Sequence, residues 1–154
     1  MRLRPPPRVS QDPRLDAFLQ DVYQSMILNV GHTSPCWADQ NVSASQTSAA
    51  MNLLGTSDNT EVVMSAPGNI VGISISSNDA RTAGTLTVKP TINGTESTTL
   101  SAALNATDTQ YAYAIQEFTK DNFLAGQRLG VKITTDGSWA PTTADIVVNM
   151  TILH

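Results

Sequence analysis

The sequence predicts an all-β protein: a jelly-roll-like β-sandwich preceded by an extended N-terminal arm and one short amphipathic α-helix. Three observations support this prediction. Apolar residues follow a helical period over residues 12–28 and alternate with a period of two from about residue 59 onward. Turn signals rich in Gly, Pro, Asn and Asp separate the alternating segments at regular intervals. Charged residues make up only 14% of the chain, whereas ordinary soluble domains contain about 25%.

The same pattern divides the chain into three parts. Residues 1–30 are predicted to be a basic, proline-rich arm with an anchoring helix, and residues 31–58 a connector rich in Ser, Ala and Asn. Residues 59–154 are predicted to form the β-sandwich domain. A length of 154 residues suits one modest core with an appendage. No window approaches the roughly 18 apolar residues that a membrane-spanning helix needs, so we expect no membrane partner.

The N-terminal arm, residues 1–11, is basic and rich in proline. Its run of three prolines favours an extended polyproline-like conformation, which loses little entropy when it lies along a partner. Residues 1–14 carry four basic and one acidic side chain, whereas the remaining residues carry five basic and twelve acidic ones. We therefore expect the arm to contact an acidic protein surface, with an exposed solubilising tail as the alternative. No aromatic side chain lies among the arginines, so nucleic acid is not an expected partner. The candidate binding residues of the arm are Arg2, Arg4 and Arg8.

One amphipathic helix is predicted over residues 12–28. Asp12 is a suitable N-cap, and Pro13 suits the first helical position. Because about 16 residues are too few for a stable isolated helix, its apolar stripe must pack on the sandwich, on sister helices or on another protein. The stripe contains Ile27 together with the candidate assembly residues Leu15, Phe18, Leu19, Val22, Tyr23 and Met26.

Strands of the sandwich are predicted from alternation and from the turns that separate them. One weak strand is expected at 48–54, and the others at 60–66, 69–76, 84–92, 95–101, 109–118, 128–135 and 144–153. Pro90 should place part of its strand at a sheet edge or a bulge, and Asn93-Gly94 predicts a hairpin. Seven or eight short strands of this kind favour a two-sheet sandwich of the jelly-roll variety. The residues predicted to face inward are Val71, Ile73, Ile75, Leu86, Val88, Ile92, Leu129, Val131, Ile133, Ile146, Val148, Met150 and Ile152.

No catalytic or metal-binding constellation is visible in the sequence. His32 and Cys36 could supply at most two metal ligands, and a single cysteine excludes an intrachain disulfide. The carboxylates are scattered over turns, and no Gly-x-Ser-x-Gly nucleophile motif occurs. We therefore predict that the protein is not an enzyme and needs no cofactor. Trp139, within the turn 136–141, has two interpretations: a plug at the end of the sandwich or a glycan contact on which a sugar ring stacks.

Two long segments resemble the jelly-roll module of tailed-bacteriophage virion proteins: APGNIVGISISSNDARTAGTLTVKPTINGT and FLAGQRLGVKITTDGSWAPTTADIVVNMTI. The leading DPRLDAFLQDVYQSM is similar to the short helix that precedes such modules in phage fibre and decoration proteins. The resemblance covers residues 60–154 well and 12–28 loosely. It implies a homotrimer made in the host cytoplasm and carried on the virion surface.

The function expected from these features is structural. The chain would be a trimeric capsid decoration (cement) or head-fibre protein that docks on the capsid or another virion protein through its arm and helix. The alternative is a tail-fibre or receptor-binding module that recognises host-surface carbohydrate. In that case Trp139 would carry the glycan contact.

Overall fold

The computed structural model describes residues 32–106 and 109–154, and these form two antiparallel sheets packed face to face. The predicted arm and anchoring helix, residues 1–30, lie outside the described residues. Thirteen strands occur in the described part of the chain. They are β1 (His32–Thr33), β2 (Cys36–Asp39), β3 (Ala49–Ala50), β4 (Asn52–Leu53), β5 (Glu61–Val63), β6 (Gly68–Ser77), β7 (Leu86–Ile92), β8 (Thr95–Glu96), β9 (Ala102–Leu104), β10 (Tyr111–Ile115), β11 (Asp121–Phe123), β12 (Arg128–Thr135) and β13 (Ile146–Leu153).

The strand order is that of a jelly roll. In sheet 1 the path runs β10-β6-β13-β2-β4, with β11 also paired to β6 and β1 also paired to β13. In sheet 2 the path runs β3-β12-β7-β8, with β5 also paired to β12 and β9 also paired to β7. The eight principal strands are β2, β5, β6, β7, β9, β10, β12 and β13. Numbered in chain order, they lie as 6-3-8-1 in sheet 1 and 2-7-4-5 in sheet 2, which confirms the predicted jelly-roll sandwich.

The core lies between the sheets and is built by alternate residues of the long strands. Leu129, Val131 and Ile133 of β12 are buried, as the alternation predicted. The last strand, β13, supplies four more predicted core residues, and all four are fully buried. These two strands stand at or next to the centre of their sheets, so each is paired on both sides.

A β-bulge in β6 corrects one of the predicted inward sets. Ile152 lies opposite Ile70 and Thr151 lies opposite Gly72, so Val71 is an extra residue without a partner on β13. Ile70 is therefore fully buried in the core, whereas Val71 is only half-buried. The prediction placed Val71 inside because strict alternation does not account for a bulge.

Pro90 lies in a strand that is internal to sheet 2, but one side of the strand is unpaired at this residue, so the predicted edge holds only locally. It lies opposite Val131 of β12, and its carbonyl accepts a hydrogen bond from the Ser97 N–H at 2.9 Å on the other side. Since the N and C=O of one strand residue point the same way, the Pro90 nitrogen faces the gap between β8 and β9. No strand partner at that gap needs a donor from β7, and proline is therefore tolerated.

Residues 32–58 differ from the predicted connector because they contribute strands to both sheets. β1 and β2 pair with β13, β4 pairs with β2, and β3 pairs with β12. The single strand expected at 48–54 is therefore two short strands in different sheets. Trp37 of β2 is fully buried, and its indole N–H donates to the Thr60 carbonyl at 2.9 Å.

Candidate interaction surface

The edge strand β10 turns its large side chains outward. Tyr111, Tyr113 and Ile115 are 79%, 78% and 80% exposed, whereas Ala112 and Ala114 pack against the core. A strand at the edge of a sandwich usually buries its larger apolar side chains. The three exposed residues form a continuous row, here called the apolar stripe, on the outer face of sheet 1.

A flat surface of small residues adjoins the apolar stripe. Tyr111 lies opposite Ser76, Tyr113 opposite Ser74, and Ile115 opposite Gly72. The next strands, β13 and β2, continue the same face with small or medium side chains, because their alternate residues are in the core. This surface, here called the platform, consists of Gly72, Ser74, Ser76, Val147, Asn149, Thr151, Cys36 and Ala38.

The stripe and the platform are both uncharged. The described part of the chain carries nine acidic and five basic side chains, and none of them belongs to this face. At about 150–200 Å² for each large side chain, the stripe exposes roughly 500 Å² of mostly apolar surface. That value lies within the range of about 300–600 Å² for the largest apolar patch of a monomeric protein, and the largest patch is often functional.

Of the residues predicted to bind a partner, only Trp139 falls within the described part of the chain. The arm residues Arg2, Arg4 and Arg8 and the six helix residues of the assembly set fall outside the described residues. Trp139 is only 2% exposed, and its indole N–H donates to the Val42 carbonyl at 3.1 Å. The predicted glycan contact at Trp139 therefore has no exposed ring face for a sugar, because the side chain fills the end of the sandwich.

The strand that carries the stripe was predicted from the sequence, but the outward direction of its large side chains was not. The prediction of a strand at 109–118 rested on alternation between two tyrosines, an isoleucine and two alanines. Alternation alone does not show which of two apolar sets faces inward. The available signal was the composition of the neighbouring strands, whose outward positions at Ser74, Ser76 and Asn149 are polar but small.

Cys36 lies on the platform beside Asn149. Its thiol donates to the side-chain oxygen of Asn149, and the cysteine is half-buried. Within residues 32–106 and 109–154, no group of three or more His, Cys, Asp or Glu side chains is arranged to hold a metal ion. Cys36 thus stands on the outer face of sheet 1, where its contact is the side chain of Asn149.

A polar cluster around Asp121 organises the connection between β8 and β9. The Asp121 carboxylate accepts hydrogen bonds from the Ser97 hydroxyl and from the Gln116 amide, each at 2.6 Å. The Ser97 hydroxyl also accepts from the Leu100 backbone N–H at 2.9 Å. A nucleophilic serine needs an adjacent base such as histidine, whereas the partners of Ser97 here are a carboxylate, a hydroxyl and backbone groups. The cluster therefore holds a turn in place.

Three carboxyl groups away from the stripe have displaced pKa values. Hydrogen bonds, first of all from the Ser138 hydroxyl, hold the pKa of Asp136 below its usual value. A hydrogen bond from Ser48, together with the Lys89 ammonium at 3.3 Å, holds the pKa of Glu96 below its usual value. Burial raises the pKa of Asp39, and the backbone hydrogen bond at Gln40 opposes this only in part. Asp39 lines a surface cavity of about 370 Å³ between β2 and the turn after β4. The displacement at Asp39 therefore follows from burial, and that at Glu96 from its hydrogen bond and its neighbouring ammonium group.

No helix in the described part of the chain is long and apolar enough to cross a membrane.

Comparison with known proteins gives a likeness in fold but none in sequence family. No protein-family model matches the sequence, and no curated protein matches it either. Among solved structures, the fold is similar to the globular domain of the zebrafish complement 1qA protein. The likeness has a TM-score of 0.43 and 12% sequence identity, and it covers 79% of this chain and 96% of that domain.

Proposed function

We propose that this chain is a structural protein of a bacteriophage virion, a homotrimeric capsid decoration or head-fibre protein that docks through its N-terminal arm and helix. The observation that supports the proposal most is the apolar stripe of Tyr111, Tyr113 and Ile115 on the uncharged outer face of sheet 1. A surface of this kind suits a subunit that is completed by neighbouring copies.

The size of the stripe fits self-association. Burial of roughly 500 Å² per copy at about 25 cal/mol/Å² corresponds to roughly 12 kcal/mol of gross transfer free energy. Association costs about 4–15 kcal/mol in lost translational and rotational freedom, so burial of the stripe offsets a cost of that size. The adjoining platform adds further area. With both surfaces covered, we expect the purified full-length chain to be an oligomer.

The sequence supports a particle as the place of action. The two long segments quoted above resemble virion jelly-roll modules, and the charged fraction of 14% suits a surface on which many copies pack closely. The basic arm would lie on an acidic shell, with Arg2, Arg4 and Arg8 as its contacts. The helix stripe that contains Phe18 would pack on sister helices or on the shell. No catalytic step is part of the proposal.

The first experiment locates the protein. Phage particles carrying a labelled copy are imaged by electron microscopy, and the label should appear at regular positions on the head. Label on the tail would contradict the capsid assignment, and particles without label would contradict a virion protein altogether.

The second experiment tests the arm. A chain lacking residues 1–11 should keep its oligomeric state in sedimentation but fail to bind purified shells. Replacement of Arg2, Arg4 and Arg8 by lysine is the matched control, because it keeps the positive charge and the length of the arm. Full shell occupancy by the truncated chain would contradict docking through the arm.

The third experiment tests the helix. Phe18→Asp places a charge in the apolar stripe of residues 12–28, whereas Gln20→Asp places the same charge on the polar face. Sedimentation should show a smaller or weaker oligomer only for Phe18→Asp. An unchanged oligomer would contradict a helical contribution to the trimer.

A further inference from the structure

We infer that the apolar stripe of one copy packs on the platform of a second copy, so that large side chains of β10 cover the small residues of β6, β13 and β2. This inference rests on the self-association in the proposed function, and it names the two surfaces that meet. The stripe and the platform are different parts of one sheet face. Each copy therefore offers one of each to its neighbours.

The shape of the outer face of sheet 1 favours this pairing. Along β10 the side chains are two tyrosines and an isoleucine, each about four-fifths exposed. Directly beside them, the outward positions of β6 are Gly72, Ser74 and Ser76, so the surface drops where the stripe ends. A methyl group added at Gly72 would make ordinary contacts at 3.5 Å with Thr151 and the Ala114 carbonyl. A projecting row and a low surface are complementary in shape.

The charge distribution favours a second copy over a different protein. The described residues have an excess of acidic side chains, so two copies would repel each other across most of their surfaces. The stripe and platform form a face without charge, where two copies can approach without that penalty. A partner protein of opposite charge would instead be steered to the acidic surfaces elsewhere.

Coverage of the whole face argues against a stripe that packs on another stripe. Two stripes in contact would leave both platforms uncovered. A stripe on a platform covers both parts of the face, because each copy contributes a stripe to one contact and a platform to the other.

Cys36 makes the pairing testable in the full-length chain, because this natural cysteine lies on the platform. Tyr111→Cys, Tyr113→Cys and Ile115→Cys each place a second thiol on the stripe. β10 is separated from β2 by β6 and β13, so three strand spacings of about 4.8 Å separate the stripe from Cys36 within one copy. A disulfide requires Cα atoms within about 7 Å, and any bond between the two must therefore join different copies.

The experiment is mild oxidation of the three variants, followed by non-reducing electrophoresis and mass spectrometry of the linked peptides. At least one variant should give covalent dimers and trimers that contain a bond from Cys36 to the stripe cysteine. The bond should disappear when Cys36 is replaced by serine. Leu124→Cys is the matched control, since Leu124 is 69% exposed but lies in the turn between β11 and β12 and belongs to neither the stripe nor the platform.

The outcomes separate this inference from the proposed function. Bonds between two stripe cysteines that persist with Cys36→Ser would overturn the pairing, since they require two stripes in contact. An oligomer in sedimentation without a Cys36 bond in any variant would overturn the pairing and leave self-association intact. Covalent dimers without trimers would support the pairing and contradict the trimer. A monomer at all concentrations would overturn both.

Discussion

Tyr113 on β10 lies directly opposite Ser74 on β6, and the tyrosine is 78% exposed although its strand neighbours Ala112 and Ala114 pack on the core. A large side chain thus stands beside a small one on the outside of the sandwich, while the smallest side chains of β10 face inward. This inverted order is the observation on which the proposed association through the outer face of sheet 1 rests. Because the stripe side chains point away from the core, we expect that they can be replaced with little effect on the stability of the fold.

Replacement of Tyr113 by serine should weaken the oligomer without unfolding the subunit. Truncation of a central interface aromatic typically costs about 2 kcal/mol or more, which is roughly 30-fold in the dissociation constant. Loss of an exposed side chain should change the stability of the subunit by no more than about 0.5 kcal/mol. Sedimentation across a concentration series measures the first effect, and urea unfolding measures the second. Leu124→Ser is the control, and equal weakening by both variants would count against the stripe.

Alanine at Ile70 should destabilise the fold far more than alanine at Val71. Ile70 is fully buried, and its truncation should cost about 2–5 kcal/mol. Val71 is the extra residue of the bulge and only half-buried, so its truncation should cost clearly less. Urea unfolding of the two variants measures the difference. A larger loss at Val71 would contradict the register of β6 against β13.

Alanine at Gly84 should be much more destabilising than alanine at Gly94. Both glycines have positive φ, +71° and +79°, so alanine is strained at each by about 1–2 kcal/mol. A Cβ at Gly84 would in addition collide with the backbone of Trp139, whereas nothing lies within 4 Å of a Cβ at Gly94. Thermal unfolding should therefore separate the two variants. Similar melting temperatures would show that the end of the sandwich near Trp139 is packed less tightly than described.

Replacement of Glu96 by glutamine should lower stability at neutral pH and have less effect in acid. The folded-state pKa of Glu96 is lowered by Ser48 and then by Lys89, so its contribution is present above the ordinary value of 4.5. It is lost as the pH falls through the lowered folded-state pKa, because the carboxylate is then protonated in both states. The loss at pH 7 should be below about 1 kcal/mol, as for other surface pairs.

Urea unfolding at several pH values checks the behaviour of Glu96. Glu117→Gln is the control, since its distance to Lys120 is 4.0 Å and its side chain is 82% exposed. The difference between the wild-type chain and Glu96→Gln should shrink as the pH falls below 4.5. A difference that grows in acid would have the wrong sign for a lowered pKa.

The long strands could be predicted from the sequence because their two faces differ chemically. β12 was predicted at 128–135 and observed at Arg128–Thr135, and β13 was predicted at 144–153 and observed at Ile146–Leu153. Each alternates large apolar residues with polar or small ones, and the inward set is unambiguous. The jelly-roll sandwich followed from the number and spacing of such segments.

The short strands could not be predicted, because a period of two is not defined by two residues. β1, β3, β4 and β8 each contain two residues, and they form only because a long strand offers them backbone partners. The bulge at Val71 is likewise set by pairing with β13 rather than by local sequence. For the candidate surface, the sequence identified the strand of the stripe but not its outward direction, which depends on the core available to Ala112 and Ala114.

The position of β13 also constrains when the chain can fold. β13 lies between β6 and β2. Its Asn149 accepts a hydrogen bond from the thiol of Cys36, which comes 113 residues earlier in the chain. Until residue 153 has left the ribosome, β2 has no partner except the two residues of β4, and one side of β6 stays open. Sheet 1 is therefore closed by contacts that are distant in sequence, and such contacts form slowly. Each subunit should accordingly depend on a slow closing step before it can meet its neighbours.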